Sequence, residues 1–173
     1  MVFVDETGFS CRAKTGTTWA PRGQTPILRR VSKRRELSTV IGLTISGKIY
    51  KRHFAHAIGA TDILVALRHF QRHIARPMSI IWDRLHAHRA VIVKDYVAAH
   101  PDLEVAWLPP YAPDLNPAEG CHGHVKQHLR NAAPVHTHDI RTQVDRGFAR
   151  LRHRPDLLLG FFRHAGLNVN QLC

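Results

Sequence analysis

Along this chain the hydrophobic period changes from block to block. Met1 to Val4 form a short apolar run that stops at Asp5 and Glu6, which reads as a buried strand delivering acids to the edge of a sheet. Residues 7–36 keep no period. Gly8, Gly16, Pro21, Gly23 and Pro26 punctuate them around a short predicted strand at Thr17–Trp19, the pattern of an insertion carrying a small hairpin. From Leu37 to Phe54 two β-rich runs meet at Ser46-Gly47, a good hairpin turn because glycine accepts a positive φ. The period then becomes helical. Thr61 can cap a helix with apolar positions Ile63, Leu67, Phe70 and Ile74, and Pro77 closes it. Ser79 to Trp82 is another short buried strand ending in an acid, Asp83; a helix over about 88–99 and a strand over Leu103–Leu108 follow.

Next comes LPPYAPDLNPAE, whose prolines before Asn116 can continue neither a helix nor a sheet ladder, so the segment is a stiff loop. Asn116 caps a helix with Pro117 at its first position, running to about Arg130 with Cys121, Val125 and Leu129 along one face. Ile140, Val144, Phe148 and Leu151 mark a further helix, and Leu157, Leu158, Phe161 and Phe162 the last, so about 137–173 is a helical tail. Strand, antiparallel hairpin, helix, strand, helix, strand, helix and tail is the order of an α/β, RNase H-like fold. Its mixed five-stranded sheet has three antiparallel and two parallel strands flanked by helices. The length of 173 residues fits one such domain over 1–173.

The placement of the acids then carries information. The first and fourth strands of such a sheet are neighbours, so Asp5 and Asp83 would lie side by side with Glu119 facing them. Three carboxylates that converge repel one another unless they bind cations, and hard oxygen ligands with room for phosphates suit two Mg²⁺ or Mn²⁺ ions. Two ions of that kind serve in-line displacement at phosphorus. Each acid also has a plainer role. Asp5 and Asp83 could be turn residues after strands, and Asn116 to Glu119 has the spacing of a capping box. The order of all three acids and the proline loop between them favour the joint site.

At VFVDETGFS, WDRLHAH and LPPYAPDLNPAE the sequence resembles the DDE transposases of the mariner superfamily, in their bacterial insertion-sequence branch, over roughly residues 1–130. The resemblance implies that Asp5, in an Asp-Glu-Ser/Thr-Gly segment, is the first catalytic and metal-binding acid. Asp83, opening an Asp-Asn-x-x-x-His segment, is the second, and Glu119 after the proline loop is the third. The 35 residues between Asp83 and Glu119 match the family's short second spacing. It further implies metal-dependent cleavage at transposon ends and strand transfer into target DNA, without a covalent enzyme intermediate, by a homo-oligomer on DNA. Where the family has Asn after the second acid this chain has Arg84, and where a Trp commonly follows the third acid it has His122. His88 matches the family's His and would orient a water or phosphate at the metals, or simply start a helix. The family's helix-turn-helix modules are not ahead of the first strand, the expectation for a fragment or for the downstream product of a split frame.

Charge supports a nucleic-acid partner. The formal net charge is +12 before 14 histidines are counted, so polyanions should be attracted. The cluster Arg29, Arg30, Lys33, Arg34 and Arg35, otherwise an ordinary solvated loop, is expected to contact phosphate, as are Arg84, His88 and Lys126. His124 and His128 have a zinc-compatible spacing near Cys121 and His122 but lack a full ligand set, so they read as exposed, DNA-facing side chains. Trp19, Trp82 and Trp107 read as core residues of strands. Cys11, Cys121 and Cys173 form no CxxC pair, and no apolar run approaches a membrane span, so a cytoplasmic, nucleoid-associated protein is expected. Two other readings stay open: a catalytically decayed or domesticated transposase that binds DNA without sequence preference, and a general RNase H-like nuclease.

Overall fold

The first strand lies at the centre of the sheet in a computed structural model of the chain, which describes residues 1–12, 15–28 and 36–169. β1 (Val2–Ser10) pairs antiparallel with β2 (Glu36–Thr44) along its whole length, and β2 pairs antiparallel with β3 (Ile49–Phe54). On the other side β1 pairs parallel with β4 (Met78–Trp82), which pairs parallel with β5 (Leu103–Trp107). The order β3-β2-β1-β4-β5 is the expected mixed five-stranded sheet. Helices α1 (Ala60–Ile74), α2 (Val91–Ala98), α3 (Pro117–His128), α4 (Thr137–Arg152) and α5 (Pro155–His164) flank it, the last two forming the predicted tail. No helix among the described residues is long and apolar enough to cross a membrane.

Successive side chains on a strand face opposite ways, so a central strand covered on both faces reads as an unbroken apolar run. Val2 and Val4 pack with Ile80 and Trp82 beneath Ile63, Leu67 and Phe70 of α1 and Val93 of α2. Phe3 and Phe9 pack on the other face with Ile41, Leu43, Val125, Phe148 and Phe162. There Phe162 meets Phe3 edge-on at 5.8 Å, and Phe148 meets Phe9 at 6.4 Å. The parity of β1 therefore sends Asp5 toward α3 and Glu6 toward α1 and α2.

Several expectations need correction. β1 does not end at the acids but runs on to Ser10, because β2 supplies hydrogen bonds past them; residues 7–10 therefore belong to the sheet and not to an insertion. Thr17–Trp19 forms no strand, and Trp19 is fully exposed. Trp107 is more than one-third exposed, so only Trp82 is a core tryptophan. Helix α1 starts two residues earlier than a cap at Thr61 allows, capped at Gly59, whose N–H is taken by the Asp62 carboxylate at 2.9 Å. Helix α2 begins at Val91 rather than near 88. Arg29, Arg30, Lys33, Arg34 and Arg35 lie outside the described residues. Cys11 and Cys121 are buried thiols.

Helices α3 and α5 approach so closely that a β-carbon at Gly120 would fall 2.5 Å from Cγ of Phe161. Gly120→Ala is therefore expected to lower stability by about 1–3 kcal/mol through overpacking. Gly160→Ala, with nothing within 4 Å of an added β-carbon, should be neutral or slightly stabilising. Urea denaturation of the two variants against the parent checks the contrast.

Candidate active site

The parallel pairing of β1 with β4 covers only Val2 with Ile80 and Phe3 with Ile81. Continued in register, the next pairs would be Val4 with Trp82 and Asp5 with Asp83, and there the strands part. A buried backbone carbonyl without a partner is costly. That of Val4 finds its donor in Asn116, whose Nδ2 reaches it at 3.1 Å. Through Oδ1 the same side chain accepts the Ala118 N–H at 3.1 Å and caps α3. Asn116 thus ties the start of the helix that carries Glu119 to the residue before Asp5. The Trp82 carbonyl is taken by the Leu108 N–H at 2.9 Å, so the proline loop leaves directly from the end of the parallel pair.

A cleft of about 590 Å³ opens where the strands part, lined by Asp5, Asp83 and Glu119 and by Arg84, His86 and Arg89. The three acids expected to share a site therefore line one cleft. Asp5 is buried, and its Oδ2 has no hydrogen-bond partner; Nε2 of His122 is 3.4 Å away. Burial above all, then the charges of Glu119 and Glu6 and more weakly that of Asp83, raise Asp5 to about 8 against the lowering backbone hydrogen bond of Glu6. The carboxylate of Glu119 accepts no hydrogen bond among the described residues, so it does not take up the capping-box role and faces the cleft uncommitted. Asp83 is held from behind: its Oδ1 accepts the Leu85 N–H at 3.0 Å and lies 2.9 Å from Nδ1 of His88.

His88 is buried and cannot meet phosphate, contrary to the expectation for it. Its ring stacks on Trp82 at 4.3 Å, and its Nε2 donates to Oε1 of Glu6 at 2.6 Å. Burial disfavours the imidazolium, but the hydrogen bond and charge of Glu6, helped by Asp83, outweigh it and hold His88 above its ordinary value. Sequence reasoning does not single out Glu6; the signal is the Asp-Glu pair itself, which a strand must split between two faces. His122 is also buried, between Phe9 and Phe148, and burial lowers it to about 3. Neither it nor Cys121, whose thiol burial raises to about 12, reaches the surface. Of the expected phosphate contacts, Arg84 is exposed at the cleft, whereas Lys126 lines another groove with Arg12 and Arg130. His86 and Arg89 escape the sequence reading, although they stand in the basic stretch after Asp83.

The donor set suits a hard divalent cation. A buried carboxylate oxygen without a partner stands among further carboxylates, an arrangement a cation would neutralise. Among the described residues no three His, Cys, Asp or Glu close into a finished metal cage. Mg²⁺ does not require one, since it is commonly held by one or two carboxylates and completed by water and substrate phosphates.

Residues 1–140 match the DDE superfamily endonuclease family. No curated protein matches the chain. Among solved structures, the Mos1 transposase paired-end complex with left transposon end superposes with a TM-score of 0.67 at 18% identity, over 99% of this chain and 56% of that one. The mariner Mos1 paired-end complex with Mg gives 0.67 at 19% identity, over 95% and 55%. The catalytic domain of Mos1 mariner transposase gives 0.57 at 19% identity, over 96% and 82%. The chain spans little more than half the length of the first two, and the likeness is one of fold, the RNase H-like arrangement of transposase catalytic domains.

Two measurements test this geometry. The unfolded chain releases the Asp5 proton near 3.8 and the folded one near 8, so the folded state holds the extra proton across that window. Stability of the metal-free protein should therefore fall as pH rises through it, and Asp5→Asn should remove that slope in thermal denaturation with EDTA present. Replacing His88 by Ala should weaken Mn²⁺ binding, followed by electron paramagnetic resonance, by about 10- to 100-fold through loss of Asp83 orientation.

Proposed function

Because the chain belongs to the DDE superfamily endonucleases, we propose that it is the catalytic part of a transposase. Asp5, Asp83 and Glu119 hold two Mg²⁺ or Mn²⁺ ions, and the cleft cuts DNA at a transposon end and joins the freed strand to target DNA. The observation that supports this most is Asp5: a buried oxygen without a hydrogen bond, in a central strand, where three more carboxylates gather. When bound, such ions supply an activated water or 3′-hydroxyl and neutralise the leaving oxygen in a direct displacement at phosphorus.

The chain's own residues do the positioning. Asp5 is fixed by pairing with β2 on one side and by the Asn116 bond beside it on the other. Asp83 is aimed by Leu85 and His88, and Glu119 by the capped first turn of α3. Arg84, His86 and Arg89 at the rim provide donors for flanking phosphates, which set register without reading sequence. Arg84 stands where the resemblance leads one to expect Asn, and its guanidinium both competes with cations and stabilises charge at phosphorus. The proline loop favours the bacterial insertion-sequence branch. A homo-oligomer on DNA and a helix-turn-helix partner from an upstream frame complete the reading.

Divalent-ion-dependent nicking of supercoiled plasmid is the test. Asp83→Asn should lower the rate by about 100- to 1,000-fold, the scale of losing one preorganised electrostatic group, while DNA binding survives. Equal cutting by parent and Asp83→Asn would overturn the assignment of the acids. An inert parent with an active Arg84→Asn would instead identify a decayed enzyme that retains only DNA binding.

A further inference from the structure

The side of the molecule away from the cleft has its own concentration of positive charge. β3 is an edge strand two places from β1, and α1 covers the Val2 and Val4 face, whereas Asp5 shares the opposite face with Phe3. Helix α1 buries Ile63, Ala66, Leu67 and Phe70. Its outer side over the last two turns carries Arg68, His69, Arg72 and His73, with Arg76 just beyond. Arg52 joins them from β3, and Lys48 from the β2–β3 turn. Two cavities that share His69, of about 190 and 690 Å³, run along this strip, and no carboxylate lines either among the described residues.

Basic residues near a helix C-terminus complement its dipole, which explains one or two cations on α1 but not those of β3 and the turn. Other cations meet acids: Lys51, which also lines the larger cavity, gathers with His53 and Arg141 at Asp145, and Arg154 pairs with Asp156. Arg52 and Arg72 have no carboxylate partner among the described residues. The Arg68 guanidinium lies over the ring of Tyr96 at 5.4 Å, a contact that orients the head group without a carboxylate to neutralise it. The rings of His69 and His73 are 4.1 Å apart, and burial, then His73, Arg52 and Arg72, hold His69 below its ordinary value. The positive field is thus a property of the strip as a whole.

We propose that the strip built on Arg52, Arg68 and Arg72 binds the phosphate backbone of duplex DNA at a place separate from the cleft. The proposal rests on the reading of the cleft as a DNA-cutting site, which makes DNA the polyanion at hand. A lipid surface fits less well, because an interfacial helix inserts its apolar face and α1 spends that face on the core. Arg68 and Arg72 stand about 6 Å apart along the helix axis, on a rigid element, which suits repeated phosphates better than a single small anion.

The test is anisotropy of a labelled random-sequence duplex, titrated in EDTA over a series of salt concentrations, so that cleavage plays no part. Converting Arg52, Arg68 and Arg72 together to Ala should make the slope of log K against log salt shallower by about 2 to 3, at roughly 0.9 for each phosphate that the variant no longer neutralises. The corresponding triple Lys variant should recover the slope, and nicking at saturating plasmid should be unchanged in both. A triple Ala variant with the parent's slope would overturn the proposal, as would a triple Lys variant no better than Ala while folded by circular dichroism. Weaker binding to phosphatidylserine–phosphatidylcholine vesicles with an unchanged DNA slope would assign the strip to a lipid surface instead. If neither the parent nor Arg84→Asn nicks, the cleft reading falls while the salt slope still decides the strip.

Discussion

One hydrogen bond, from Nδ2 of Asn116 to the Val4 carbonyl, takes the place of strand pairing that β1 and β4 do not continue. Because the strands part while the carbonyl remains satisfied, the sheet opens without leaving that carbonyl unpaired in its interior. Since the same amide caps α3, the opening of the sheet and the arrival of Glu119 are a single structural event.

Four carboxylates at that opening are electrostatically unfavourable by themselves. Each is handled differently. Asp5 answers burial and its neighbours by holding its proton to about 8. Glu6 and Asp83 share His88, which is buried on Trp82 and reaches a carboxylate with each ring nitrogen. Glu119 is exposed to solvent. Asp5 alone is buried with no cationic group beside it among the described residues, which makes it the acid whose environment changes most when a divalent ion arrives.

Much of this arrangement was legible from periodicity. Runs buried on both faces marked β1 and β4, and the Asn-Pro-Ala-Glu start of α3 gave a helix with its acid in the first turn. The position of Asp5 inside β1 was not, because what carries the strand through Asp5, Glu6 and Thr7 is the ladder with β2, more than thirty residues away. For the same reason the partnership of Glu6 with His88 leaves no local trace, and His88 reads as a surface histidine until Trp82 and Glu6 enclose it. His122 misleads in the same way. Its neighbours His124 and Lys126 look solvated, and only the packing of α4 against α3 brings Phe148 over its ring.

Placing the first strand at the centre has a consequence for biosynthesis. Val2 and Phe3 emerge from the ribosome before any of their partners, and the ring that meets Phe3 belongs to Phe162, near the other end of the sequence. At about 5–20 residues per second, roughly 8 to 32 seconds separate the two. Until β4 is made, the β2–β3 hairpin can pair with one edge of the strand while the parallel edge waits. Contacts of such high sequence separation fold slowly and expose strand edges on the way. In the nascent chain, the strand that will carry the central acid therefore keeps its parallel edge unpaired until β4 is made.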